Sequence, residues 1–580
     1  MASTSRTMRK RKDEKTGVKL NGSSTPPKVE RPGSKFPKNT VVLSLVCAGV
    51  ILLLVQRFEL LTTRPHVEDE GKQSQKLTFA ADVERRDAVV AAFKHAWLAY
   101  ERDAMGDDEY HPISGKGTNL TKSGGIGYTV IDSIDTMQIM GLDEEYTRAR
   151  EWVANKLSFD RDDSFNTFET TIRVLGGLLS AYHLSSGDSL YLERATELAD
   201  RMLPVFDTPS GLPMPNVNLA KRQGVEDSNS PNVISTAEAA TLQLEFRYLS
   251  HLTDNEEYWE KVEAVMKMIR AAKLPSALVP IYMGSKSGQF LLSEIRLGSR
   301  GDSYYEYLLK QYLQTNQTEP IYREMYEDAM GGISEHLVQK SLRRGLTYTA
   351  ELVPQRGRTG QIGWHLVPKQ DHLVCFLGGS LMLGATTTGT LGDGVSIPPA
   401  EDELSEIGDR DWKTGSEILD TCIDTYKGTA TGLSPEIVHF RTADDDLGPI
   451  GSDWYIRGTG ETEAPPYDAR YILRPETVES LFIAFRLTGD DRYRQIGWDI
   501  FQSINEYCRV ETGGFASILN VHDKNSKLED RMETFMMSET LKYLYLLFSD
   551  ASVLPLDEYV FNTEAHPLPI FTPNIRTGFS

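Results

Sequence analysis

The sequence predicts an all-α fold, an array of helical hairpins set behind an N-terminal membrane anchor. Three observations predict it: an uncharged apolar run near the N-terminus, helical apolar periodicity from about Asp82 onward, and a recurrent punctuation between helices.

The anchor comes first in the chain. Residues 41–55 read VVLSLVCAGVILLLV without a charge, and Thr40 and Gln56 extend the run to about 17 residues, near the lower limit for a spanning helix. Residues 1–39 carry eleven Lys/Arg against three Asp/Glu, which places this end in the cytosol. Gln56, Arg57 and Phe58 follow in place of a small-residue cleavage motif, so an uncleaved anchor is expected. The expected division is a cytosolic basic tail (1–39), a transmembrane anchor (40–56), a lumenal stem (57–82) and a globular domain (83–580). The formal net charge is -21, and without the tail it is -29, which argues against nucleic acid as a partner. Of the four cysteines, Cys47 lies in the anchor. Cys375, Cys422 and Cys508 fall on the lumenal side, where disulfides persist; they allow one bridge and one remaining thiol, and the pairing stays open.

The helical region begins with the apolar face of AAFKHAWLAY (91–100) and ends with LKYLYLLF (541–548). Between them, Gly141-Leu-Asp-Glu-Glu-Tyr146, Gly187-Asp-Ser-Leu-Tyr191, Thr253-Asp-Asn-Glu-Glu-Tyr258 and Thr488-Gly-Asp-Asp-Arg-Tyr493 each close one helix and cap the next. A unit of roughly 45 to 65 residues fits a helix pair, and about seven pairs fill the chain. Such an array is an open solenoid or a closed α/α barrel. Loops led by Gly211 and Gly513 follow the second helix of their pairs and would gather on one face, which favours closure. Asn119-Leu-Thr121 and Asn316-Gln-Thr318 are glycosylation sequons, as a lumenal domain would carry.

The residues that could carry chemistry are acids at helix starts. Glu169 and Arg173 are four apart and share a helix face. Asp302 occupies an N-cap position before a tyrosine-rich helix. Glu476 and Glu479 follow Pro475 and face the same way, so a cation or a shared proton must separate them. Glu238, Glu436, Glu533 and Glu539 stand at further starts. Near the C-terminus, Thr563 offers a hydroxyl and a carbonyl beside Glu564, the kind of oxygen that a hard cation takes. There is no EF-hand loop, no zinc spacing, no nucleophile elbow and no phosphate or dinucleotide loop. Two carboxyls about a sugar bond are the apparatus of a glycosidase.

At these residues the chain resembles glycoside hydrolase family 47, the class I α-1,2-mannosidases, from about residue 83 to about residue 570. The likeness rests on GGIGYTVIDSIDTMQIMGL (124–142), FETTIRVLGGLLSAYHL (168–184), GSRGDSYYEYLLKQYL (298–313), HLVCFLGG (372–379), LRPETVESLF (473–482), SETLKYLYLLF (538–548) and FNTEAHP (561–567). The resemblance implies an (α/α)7 barrel whose mouth hydrolyses terminal α-1,2-linked mannose from high-mannose N-glycans with inversion and with Ca2+. It implies Glu169 as catalytic acid, Glu476 as base and Asp302 as a third essential carboxylate. Thr563 matches the direct protein ligand of calcium. Glu238, Glu436, Glu479, Glu539 and Glu564 match acids that bind sugar or position waters, and Arg173, Arg474 and His372 match their polar support. A Cys375–Cys422 bridge is implied, with Cys508 free. For inversion the two catalytic carboxyls stand about 6.5–9.5 Å apart. Arg300, two before Asp302, matches the endoplasmic reticulum type that converts nine-mannose glycans to one eight-mannose isomer, as a monomer anchored in type II orientation. A broader Golgi-type enzyme and a lectin-like degradation-enhancing relative are the alternatives. Segment 384–410 carries no assignment.

Overall fold

The computed structural model describes residues 79–575 and 579, apart from 359, 393, 444–452 and 460–463. The expected tail and anchor, and the stem as far as residue 78, lie outside the described residues. Among the described residues, no helix is long and apolar enough to cross a membrane.

Fourteen helical segments follow one another among the described residues: α1 Val83–Ala104, α2 Tyr128–Met140, α3 Asp143–Asn155, α4 (167–184), α5 Ser189–Met202, α6 (236–253), α7 Glu256–Ala271, α8 Asp302–Gln314, α9 Pro320–His336, α10 (372–385), α11 Glu406–Lys427, α12 Glu476–Thr488, α13 Asp491–Tyr507 and α14 (536–548). Even-numbered helices are buried almost all round; in α8 every residue from Ser303 to Gln314 is buried. Odd-numbered helices bury one stripe, as α13 does with Tyr493, Gly497, Ile500, Phe501 and Ile504, at the spacing of a single helical face. Each even helix touches the next even one, and α14 returns to α2, so the inner helices form a closed ring. Each of α3 to α13 packs on the inner helix before it, and α1 packs on α14, sealing the seam.

The punctuation read from the sequence falls on the turns from inner to outer helix. Gly141 and Gly489 end α2 and α12 with left-handed φ of 68° and 69°. Asp188, Asn255 and Asp490 then cap the first amides of α5, α7 and α13. The returns from outer to inner helix are long and carry small antiparallel sheets of two or three strands. The loops of Gly211 and Gly513 are both of this kind, so they do share one face, the mouth of the ring. Segment 384–410 comprises the end of α10, a loop bridged at Thr390 and Leu404, and the start of α11.

A C-terminal hairpin fills the ring. Tyr559–Phe561 pairs with Pro567–Pro569, and the two strands lie against α8 and α4. Its turn, 562–566, forms the floor of the mouth. Cys375 and Cys422 are bridged with Cα atoms 6.0 Å apart, joining α10 to α11, while Cys508 is buried and free.

The paired glycines of α4 exist for close approach. A Cβ on Gly176 would stand 2.6 Å from the Asn562 side-chain nitrogen, and one on Gly177 would stand 2.7 Å from the carbonyl oxygen of Ile131 in α2. Backbone cannot yield as a side chain can, so Gly177→Ala should cost about 1–3 kcal/mol of stability, read as a lower midpoint of thermal or denaturant unfolding.

Candidate active site

The inner helices bring their N-termini to the mouth, and local capping fixes the acid each one presents. In α4, the Asn166 side chain accepts the Glu169 amide at 2.8 Å, setting Glu169 in the first turn. In α6, the Ser235 hydroxyl does the same for Glu238 at 3.1 Å. Asp302 differs from its expected place: Gly301 is the cap, Asp302 is the first helical residue, and its carboxylate accepts the Ser303 amide at 2.9 Å. Two non-glycine residues precede these acids in the left-handed region, Arg300 at φ 76° and Leu473 at φ 69°. Such backbone costs energy and recurs at functional sites. Short π-helical stretches, Thr170–Leu175 in α4 and Met536–Thr540 in α14, carry Arg173 and Glu539.

These residues enclose a cavity of about 330 Å3. Glu169, Arg173, Glu238, Arg300, Asp302, Arg474, Glu476, Glu479, Glu539, Thr563 and Glu564 all line it. His372 and Glu436 are not in its lining but stand directly behind it. The His372 Nδ1 lies 2.8 Å from Glu476 Oε2, and its Nε2 lies 3.0 Å from the Tyr426 hydroxyl. Arg474 donates through Nε to both oxygens of Glu436 at 3.0 and 2.9 Å, and through Nη1 to Glu476 at 3.4 Å. From α4, Arg173 Nε donates to Glu169 at 2.8 Å and Nη1 to the Thr534 hydroxyl at 2.8 Å, with a further bond to Glu564. The guanidinium of Arg300 stands 5.5 Å from the ring centre of Tyr282.

The surroundings drive the carboxyls apart. Burial disfavours the charge on Glu476, but the Arg474 guanidinium and His372 outweigh it and hold this carboxyl below its usual range. Asp302 is pushed up to about 7 by burial, aided by the charges of Glu306 and Glu476, against the pull of the Ser303 amide. On the floor, burial raises Glu479 to about 8 against the attraction of Lys310, and burial raises Glu539 well above the carboxylate range with Glu564 and Glu476 adding to it. Glu238 is raised by burial against the charge of Arg300.

The floor is an oxygen-only donor set with more carboxylates than cations. The Thr563 hydroxyl donates to Glu306 Oε2 at 2.8 Å, and Lys310 pairs with Glu306 and lies 3.7 Å from Glu479. Among the described residues, no group of three or more His, Cys, Asp or Glu is disposed to hold a metal directly. A hard cation contacting Thr563 and reaching the acids through waters fits this chemistry; a nitrogen- or sulfur-seeking metal does not.

Glu306 was not singled out from the sequence, although it stands four residues after Asp302 on one helix face. Phe535 was missed too; it lines the cavity, with the guanidinium carbons of Arg173 and Arg474 at 6.0 and 5.9 Å from its ring centre. A lone phenylalanine before a helix gives no signal.

The profile of glycosyl hydrolase family 47 matches residues 92–570. A mannosyl-oligosaccharide 1,2-alpha-mannosidase of Candida albicans is 45% identical over 502 residues, covering 85% of each chain. An endoplasmic reticulum mannosyl-oligosaccharide 1,2-alpha-mannosidase of Schizosaccharomyces pombe is 44% identical, covering 85% of this chain and 91% of its own. Among solved structures, an alpha-1,2-mannosidase from Trichoderma reesei superposes with a TM-score of 0.73 at 28% identity, covering 85% of this chain and 100% of that one.

The raised carboxyls make the metal-free fold sensitive to alkali. Asp302 and Glu479 bind protons more tightly folded than unfolded, so their contributions are fully present below pH 3.8 and 4.5 respectively and are lost as pH rises through about 7 and 8. In chelator, the thermal midpoint should fall between pH 6 and pH 8.5, a trend that scanning calorimetry at a few pH values would reveal or refute.

Proposed function

The chain belongs to glycosyl hydrolase family 47, and on that premise we propose that it is an inverting, calcium-dependent α-1,2-mannosidase of the endoplasmic reticulum. Its activity is the trimming of α-1,2-linked mannose from N-glycans. The finer reading is removal of one mannose from nine-mannose glycans by a lumenal domain on a type II anchor. The relatives named for that compartment support the location, and the apolar run 41–55 behind a basic tail supports the anchor.

The observation that carries the mechanism is a cavity shared by Glu169 and Glu476 in which Arg474 and His372 hold Glu476 ionised, as a base must be. In this reading a water attacks the anomeric carbon from the Glu476 side. Glu476 takes its proton while His372 and Arg474 hold the carboxylate in place. The bond from the anomeric carbon to the leaving oxygen breaks, and that oxygen receives a proton from Glu169, which Arg173 orients. One displacement on one face inverts the configuration. Asp302 is the third carboxylate of the same cavity, able to keep a proton near neutrality. Calcium on the Thr563 floor would supply positive charge that grips sugar hydroxyls and water. Glu306, Glu479, Glu539 and Glu564 would carry the waters of its shell, and Glu238 and Glu436 would hold sugar or its supporting arginine.

Glu476→Gln keeps the shape of the side chain and removes the base. Turnover of an α-1,2-linked mannose substrate should drop by about a hundred- to ten-thousandfold while the unfolding midpoint stays put. A chelator should abolish mannose release by the parent protein and added Ca2+ should restore it; retained turnover in chelator would end the calcium reading.

Arg300 is fixed by its left-handed backbone at the cavity wall and presents a planar set of donors to a glycan branch. Arg300→Leu should let trimming run past the eight-mannose product, seen by mass profiling of the released glycans. A parent protein that already proceeds well past eight mannoses would rule out the narrow specificity.

A further inference from the structure

The cavity, at about 330 Å3, encloses only the reacting end of a nine-mannose glycan. The other branches must lie over the rim, so the rim residues that can hold a sugar matter. Tyr467 has the means. It leaves 55% of its surface in solvent, and it is held by stiff backbone. Pro465 and Pro466 precede it, and it opens the one-turn helix Tyr467–Ala469. The turn is pinned at both sides, since Ala469 O accepts the Val521 amide at 2.9 Å and Arg470 O accepts the Glu436 amide at 2.8 Å. An exposed aromatic on a fixed turn loses little entropy when a ligand covers it.

Its neighbours supply polar contacts. The Arg470 guanidinium carbon stands 5.0 Å from the centre of the Tyr467 ring, and Arg470 Nη1 donates to Glu529 at 3.0 Å, which fixes the guanidinium in place. The phenol lies within range of the charges of Glu436, Arg474 and Glu533. Glu436 and Arg474 are the pair that stand behind Glu476, so this turn adjoins the catalytic wall although it lies outside the cavity. From Arg470 the chain runs through Tyr471, Ile472 and Leu473 into Arg474 and Glu476. A pyranose offers an apolar C–H face to an aromatic ring and hydroxyls at its edge to a guanidinium and carboxylates.

We propose that Tyr467 and Arg470 form an outer sugar subsite on the rim, which takes a mannose residue of the glycan remote from the bond being cut. The proposal rests on the mannosidase reading above. Its role is recognition of the branched glycan as a whole, separate from the gripping of the terminal mannose.

The test is calorimetric binding in a Glu169→Gln background, with Ca2+ present, of two probes: the free nine-mannose glycan and α-1,2-linked mannobiose. Adding Tyr467→Ala should weaken the Kd for the large glycan by about three- to tenfold, the scale of one aromatic contact. The disaccharide, too short to reach the rim, should keep its Kd within about twofold, which also reports a folded cavity. Tyr467→Phe keeps the ring and should stay close to the parent for both probes. The subsite is overturned if Tyr467→Ala leaves the large glycan within about twofold of the parent, or weakens both probes by one common factor. A parent that binds neither probe overturns the mannosidase reading itself, and the subsite with it.

Discussion

Everything at the mouth depends on a charge lock buried inside the ring. His566 has no exposed surface, and its ring nitrogens lie 2.7 Å from Asp135 and 3.1 Å from Asp132, both in α2 and equally buried. Lys542 of α14 reaches Asp135 at 2.9 Å and the carbonyl of Ala565 at 2.8 Å. Charges taken this far from water are tolerable only in company. Burial alone would raise Asp135, yet Lys542 and His566 hold it at about 2. Burial would also neutralise His566, yet Asp135, aided by Asp132, raises it to about 9. The lock fastens the hairpin turn to the two helices that close the ring. It then continues outward, because Asp132 also contacts Arg173 at 3.5 Å, and Arg173 holds Glu169 and Glu564. Asn562 completes the clamp: its side-chain oxygen accepts the amides of Glu564 and His566, and its nitrogen donates to Ile172 O and Glu245. The placement of Thr563 and the orientation of Glu169 are thereby one problem, solved by one network.

Helices and their alternation were legible because apolar periodicity and capping are local properties. The Gly/Asp/Tyr punctuation marked the turns after α2, α4, α6 and α12, where a helix stops and restarts within a few residues. It did not mark the turn after α8, where Thr315 and Pro320 make the corner, or the long connection after α10. Closure of the ring was only favoured by the residues themselves, since contact between α14 and α2 joins parts of the chain some four hundred residues apart. The acids were legible as helix starts, which is why Glu169, Asp302 and Glu476 could be named. Their convergence was not, because nothing local in LRPETVESLF points toward DSYYEYLLK. The lock was invisible for a related reason: Asp132 and Asp135 look like solvated residues until an interior histidine is placed between them.

Gathering helix N-termini at one mouth has an electrostatic consequence. Six of the seven inner helices, all but α2, present residues of their positive ends to the cavity, so carboxylates are the natural lining. The mouth then collects more acids than its arginines and Lys310 can balance, and the surplus appears as protons kept on Asp302, Glu479 and Glu539. A fold of this type therefore arrives at an acidic, oxygen-rich floor through its topology, and a hard cation is the economical way to discharge it.

The same position in two helices yields opposite chemistry for reasons that lie outside both. Glu476 and Asp302 are each the first residue of an inner helix, so the helix end acts alike on both. Glu476 sits between a guanidinium and an imidazole, with Arg474 delivered by the left-handed Leu473 beside it. Asp302 has a single backbone amide and looks toward two other carboxyls. The left-handed residue before Asp302 is Arg300 itself, and its guanidinium stands 5.5 Å from the Tyr282 ring centre and acts on the charge of Glu238. The protonation of these two carboxyls is thus set apart by where two arginines point, Arg474 following a left-handed residue and Arg300 being one itself.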